Sequence, residues 1–93
     1  SLANELGQYG ITVNNVLPGF TATERLDGII KNKAEKNQKS EEETAEMMKS
    51  MVPARRFAKP EEIAQGAVFL ASEAASYING INLPVDGGRT KSL

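Results

Sequence analysis

Thr21 and Thr23 follow a Pro18-Gly19 corner in the stretch GITVNNVLPGFTAT. Two hydroxyls and the free backbone groups of such a corner can hydrogen-bond a flat polar ligand. Proline cannot donate to a strand ladder, and glycine lets another group come close to the backbone. An ordinary strand-ending turn has the same residue types. Other chemistry-bearing residues are few. With no histidine and no cysteine, disulfides and the usual zinc ligand sets are excluded, and we expect no metal site. Glu61 and Glu62 are adjacent in a helical segment, so their side chains point about 100° apart and do not make an acid–base pair. Arg55-Arg56 suits either an anion or a salt-bridged connector. Tyr9 and Tyr77 read as amphipathic packing residues. Met47, Met48 and Met51 give their segment a soft apolar face, suited to a core or to an adaptable ligand surface.

The elements that must position these groups can be read from spacing. Ser1 to Gln8 has helical spacing, with Leu2, Ala3 and Leu6 on one face, and Gly10 stands where a left-handed stop would fall. β-Branched residues predict a strand over 11–17. Thr23 can cap a helix carrying Leu26, Ile29, Ile30 and Ala34, whose lysine-rich continuation over 31–39 is a solvated helix end or a loop. Ser40 and Glu43 form a capping box opening a helix through about Met51. Pro60 begins the most strongly patterned helix, PEEIAQGAVFLAS, whose wide apolar stripe predicts packing on two sides. A second strand follows over 81–85, and Asp86-Gly87-Gly88 closes it as a turn. Strand, helical crossover, strand is a parallel unit, and two parallel strands alone make a poor sheet.

Bulk properties narrow the function classes. Ninety-three residues make one domain at most, or part of one. The formal charge of −1 and the lack of a basic stripe argue against nucleic acid. No apolar run approaches the ~20 residues of a membrane span. A chain without cysteine is compatible with a cytoplasmic setting, which we expect. The chain opens within a helical pattern and without methionine, so we read it as a fragment.

The motifs GITVNNVLPGFTAT and RFAKPEEIAQGAVFLASEAASYINGINLPVDGG, in this order, resemble the carboxyl-terminal third of a short-chain dehydrogenase/reductase. They look like the bacterial members often named 3-oxoacyl carrier-protein reductases. The resemblance implies an α/β fold, the C-terminal piece of a Rossmann-type doubly wound parallel sheet. It would hold the last two strands, a crossover helix at 60–72 and a substrate lid at 24–52, all in one domain fragment spanning 1–93. It implies that Pro18 and Gly19 border the nicotinamide of NAD or NADP. Thr21 would meet the carboxamide through its backbone, and Thr23 would offer a hydroxyl to carboxamide or pyrophosphate. Leu26, Ile30, Met47, Met48 and Met51 would serve the lid. A small-molecule ketone or secondary alcohol as substrate and a homo-oligomeric state follow from the same likeness, with no nucleic-acid or membrane partner.

Two departures matter. Relatives more often carry Ile or Val where Thr21 stands, a change that a backbone contact tolerates. The catalytic Tyr-x-x-x-Lys pair is missing, since Tyr9 is followed four residues later by Val13 and Tyr77 by Ile81. That pair, its serine and the glycine-rich phosphate loop would all lie upstream of Ser1. The 93 residues alone are therefore expected to be inactive. The rival expectation is a non-enzymatic self-association module, driven by an open parallel edge.

Overall fold

The computed structural model describes residues 1–90. Its elements run α1 (Leu2–Gly7), β1 (Asn15–Pro18), α2 (Glu24–Asn37), α3 (Glu41–Ser50), α4 (Pro60–Leu70), a 3-10 turn (Glu73–Ala75) and β2 (Asn82–Val85). The caps fall where side-chain chemistry places them. The Thr23 hydroxyl accepts from the Leu26 amide at 3.3 Å, and that of Ser40 accepts from the Glu43 amide at 3.0 Å. The polar segment after Lys31 is the solvated end of α2, closed by Gln38 in the left-handed region. Gly10, at φ +75°, makes the turn after α1.

β1 and β2 pair in parallel, Asn15 opposite Asn82 through Pro18 opposite Val85. α4 is the crossover between them and packs on both strands. The fit is close: a Cβ on Gly66 would lie 3.2 Å from Val85 Cγ2 and 3.7 Å from Leu83 Cδ2. The first strand is shorter than its β-branched run predicts. Residues 11–14 leave the ladder because side chains take over the pairing. The Val13 amide donates to Asn79 Oδ1 at 2.9 Å, and the Ile81 amide donates to Asn14 Oδ1 at 3.0 Å. Asn79 also donates to the Ala3 carbonyl, tying α1 to the entry of β2.

α2 and α3, joined by a short connection, pack against each other, and their seam holds the main apolar cluster among the described residues. Leu26, Ile30 and Met48 make its centre, with Phe20, Ala45 and Phe57 packed against it. Thr44 is fully buried there, its hydroxyl donating to the Ser40 carbonyl at 2.9 Å. Two expectations change here. The three methionines do not share a face: Met48 is 1 % exposed, whereas Met47 and Met51, four residues apart, are turned outward together. Tyr9 and Tyr77 are exposed rather than packed, Tyr77 fully so, because both lie in turns beyond their helices.

The strand–crossover–strand unit is unlike the α2–α3 pair. α4 has no buried residue although it is the most apolar helix, and Val68 is 68 % exposed. The radius of gyration is 16.8 Å, against about 12 Å for a compact chain of this length. No helix among the described residues is long and apolar enough to cross a membrane.

Candidate functional site at the exit of the first strand

The site begins where β1 ends. The Gly19 amide donates to the Val85 carbonyl at 3.0 Å, which carries the pairing one residue past Pro18. A Cβ on Gly19 would stand 2.7 Å from Asp86 Cα and 2.8 Å from Asp86 Cβ. Glycine is required here because the loop after β2 comes this close to its backbone.

Three residues on, a single parallel bridge joins Thr21 to Ala58. Ala58 supplies both of its backbone groups to it. Its amide donates to the Phe20 carbonyl at 2.8 Å, and its carbonyl accepts from the Ala22 amide at 2.9 Å. In a parallel bridge of this phase the backbone groups of the opposite residue point to the other side. The Thr21 N–H and C=O accordingly have no hydrogen-bond partner among the described residues. Backbone groups of this kind are strong hydrogen-bonding sites that need a partner when covered. The Thr21 hydroxyl is occupied, donating to the Gly19 carbonyl at 3.0 Å. Thr23 caps α2 through an acceptor lone pair, which leaves its O–H free to donate.

Pro18, Gly19, Thr21 and Thr23 share one open cleft of about 300 Å³ with Leu26, and the cleft is completed by Phe20, Arg25 and Ile29. Five of the residues singled out in the sequence are therefore together. Ile30 and Met48 are not in the cleft, being buried in the seam between α2 and α3, and Met47 and Met51 also lie outside it. Phe20, Arg25 and Ile29 were not legible as site residues. Ile29 read only as an apolar helix position, Phe20 and Arg25 were not singled out, and nothing in the spacing showed which side of α2 would face the corner.

The surrounding charges are engaged structurally. Arg56 donates to both oxygens of Glu62 at 2.7 and 2.9 Å, and the Lys59 amide donates to Glu62 Oε1 at 2.9 Å. The Arg56 hydrogen bonds, then the Lys59 amide, pull the Glu62 carboxyl down to about 2. Arg55, in the left-handed region at φ 60°, donates to the Ser50 carbonyl. These arginines form a connector and do not reach into the cleft. Asp86 accepts from the Gly88 and Thr90 amides at 3.0 and 2.9 Å, and hydrogen bonding from Thr90 holds its carboxyl below the usual range. No cluster of His, Cys, Asp or Glu that could hold a metal ion occurs among the described residues.

Comparison with known proteins accords with this geometry. Residues 1–90 match the family described as enoyl-(acyl carrier protein) reductase. The chain is 41% identical to the NADPH-dependent reductase BacG of Bacillus subtilis over 93 residues, covering 100% of this chain and 36% of that protein. It is 36% identical to gluconate 5-dehydrogenase of Gluconobacter oxydans over 92 residues, 99% of this chain and 32% of that one. Among solved structures, a short chain dehydrogenase family protein from Francisella tularensis superposes with a TM-score of 0.91 at 34% identity, over 98% of this chain and 38% of that chain. The chain thus spans about a third of the length of the curated relatives it matches. On this match, carried over nearly every residue described, the chain belongs to the short-chain dehydrogenase/reductase family and has its Rossmann-like α/β fold.

Proposed function

We propose that the chain is the carboxyl-terminal part of an NAD(P)-dependent short-chain oxidoreductase, close in kind to the 3-oxoacyl carrier-protein reductases. The reaction would be hydride transfer between nicotinamide and a small-molecule ketone or secondary alcohol. One observation carries this reading: the outward-facing N–H and C=O of Thr21, at the carboxyl end of a parallel strand, match the donor and acceptor of a planar carboxamide. Ligands of open parallel sheets gather at that edge. The nicotinamide, when bound, supplies or takes the hydride. What this chain contributes is position. The Thr21 backbone would fix the plane of the carboxamide, and Thr23 would offer the hydroxyl donor beside it. Pro18 ends the strand so that the strip turns away from the ladder, and Gly19 seats the strip on Asp86. Leu26 lines the cleft floor beside them, while Ile30 and Met48 hold α2 and α3 together as one lid. Met47 and Met51 present apolar surface on the outer side of the lid.

The placement at the carboxyl-terminal end rests on what a dinucleotide fold puts first. Its glycine-rich phosphate loop follows the first strand, and β1 here is followed by Pro18-Gly19-Phe20-Thr21 instead. Without that loop and without a Tyr-x-x-x-Lys pair, the 93 residues alone would not turn over substrate. The NADPH dependence of the Bacillus subtilis relative favours NADPH as the first cofactor to try. The exposed face of α4 suits a homo-oligomer contact or further strands of the same sheet.

The test is titration of the intact protein with NADPH and NADH, followed by turnover of a ketone panel. Saturable binding and cofactor oxidation are expected, and their absence with both cofactors would overturn the reading. The same open faces favour one rival, self-association of the chain as a non-enzymatic module. Sedimentation of the 93-residue chain separates the two, because a folded, concentration-dependent oligomer supports the rival.

A further inference from the structure

Resting on the reading above, the geometry points to Arg89 as a positioning residue for the cofactor-facing strip, acting through Phe20. The Arg89 guanidinium carbon lies 4.2 Å from the centroid of the Phe20 ring. Phe20 meets Phe57 edge to face, with centroids 6.1 Å apart and planes at 85°. The Lys49 ammonium lies 5.4 Å from the Phe57 centroid. Four side chains thus form one stack, cation, ring, ring, cation, which runs from the end of α3 to the loop after β2.

The stack flanks the one bridge that matters. Phe20 and Phe57 immediately precede Thr21 and Ala58, the bridged pair, and both rings also pack against the Leu26, Ile30 and Met48 seam. Fixing these rings fixes the strip on either side of the bridge and ties it to the lid. Arg89 is itself held in place. The Asp86 carboxylate gathers the Gly88 and Thr90 amides, and the Asp86 carbonyl accepts from the Arg89 amide at 3.2 Å. The same loop touches the far end of the lid, where the Ala54 amide donates to the Gly87 carbonyl at 3.1 Å.

The physical reason for a cation here is the negative face of an aromatic ring. A contact made through backbone alone, as Thr21 would make it, has no rotamer with which to correct an error. Its accuracy is the accuracy of the strip. Arg89 restrains that strip from the loop after β2, through the face of the Phe20 ring.

The experiment compares Arg89→Leu, which keeps bulk and loses charge, with Arg89→Lys, which keeps the cation, both in the intact protein. Two readouts are taken: NADPH affinity by nicotinamide fluorescence, and hydrogen exchange of the Ala22 and Ala58 amides without cofactor, with melting temperature as the control for folding. Arg89→Leu should weaken NADPH binding about two- to fivefold and speed exchange at the bridge by a similar factor, the range of an exposed cation–ring contact. Arg89→Lys should recover most of both. Unchanged affinity in Arg89→Leu overturns the positioning role even if exchange rises, and equal losses in both variants overturn the cation as its means. If the unaltered protein binds neither NADPH nor NADH, the functional reading falls separately. The exchange rates then decide alone whether Arg89 holds the bridge, and unchanged exchange overturns that too.

Discussion

The α2–α3 pair, proposed above as a lid, and the crossover α4 bury their apolar residues in opposite ways. α2 and α3 turn Leu26, Ile30, Ala34 and Met48 toward each other and leave their charges outside. α4 is more apolar than either, yet it has no buried residue and leaves Val68 and Phe69 open. A helix that is apolar on most sides belongs in the middle of something. The α2–α3 pair fills its seam from its own residues and the neighbouring rings, whereas the strand–crossover unit leaves apolar surface uncovered. The strip 19–22 lies at the junction of the two.

The largest effect should come from the lid centre. Met48→Ala removes a side chain that is 1 % exposed, a truncation that typically costs about 2–5 kcal/mol. Denaturant unfolding of the intact protein measures it. Val68→Ala sharpens the contrast. At an uncovered position the change is worth within about 0.5 kcal/mol, so a loss well above that in the intact protein would show that other parts of the protein cover α4. A silent Val68→Ala would break the comparison, since it would leave the open face without a partner.

A pair of glycines should move stability in opposite directions. Gly28, inside α2, has nothing within 4 Å of a Cβ position. Gly28→Ala should therefore stabilise by about 0.5–1 kcal/mol through helix propensity and a less flexible unfolded chain. Gly19→Ala drives a methyl into the Asp86 backbone at 2.7 Å. Backbone cannot swing aside as a side chain can, so overpacking of about 1–3 kcal/mol is expected. Melting curves of the two variants of the intact protein check the signs. A neutral Gly19→Ala would show that the two strand-exit loops are not held against each other.

Which parts of this were legible in the sequence follows from whether the controlling interactions are local. Caps at Thr23 and Ser40, the proline that opens α4 and the turn at Gly10 depend on neighbours a few residues away, and their spacing showed them. The parallel pairing of β1 with β2 came from element order, because a helical crossover between two strands leaves little choice. The start of β1 was misplaced because Val13 pairs with the Asn79 side chain and Asn14 uses its own side chain to pair with the Ile78 carbonyl and the Ile81 amide, all more than 60 residues away. The Pro18-Gly19 corner and its threonines were legible as a cluster. The cause of Gly19 and the involvement of Phe20 and Arg89 were not, since each depends on where the loop after β2 returns.

The smallest effect concerns the join between the two regions, where Arg56 leaves the lid and Glu62 opens α4. Arg56 and the Lys59 amide hold the Glu62 carboxyl at about 2, below its ordinary 4.5. A carboxyl whose value is lowered by folding stabilises the folded form in its charged state, so the contribution is full above pH 4.5 and fades as pH falls toward 2. Both side chains are solvent-accessible, so screening keeps the contribution small and salt should reduce it further. Glu62→Gln retains an oxygen for the Lys59 amide but loses the ionic partner of Arg56. Its melting temperature should fall slightly below that of the unaltered protein at pH 7, and the gap should close as the pH approaches 2. A gap that stays constant to pH 2 would mean that the pair contributes nothing through its charge, and the lid and the crossover would then be joined by packing and backbone hydrogen bonds alone.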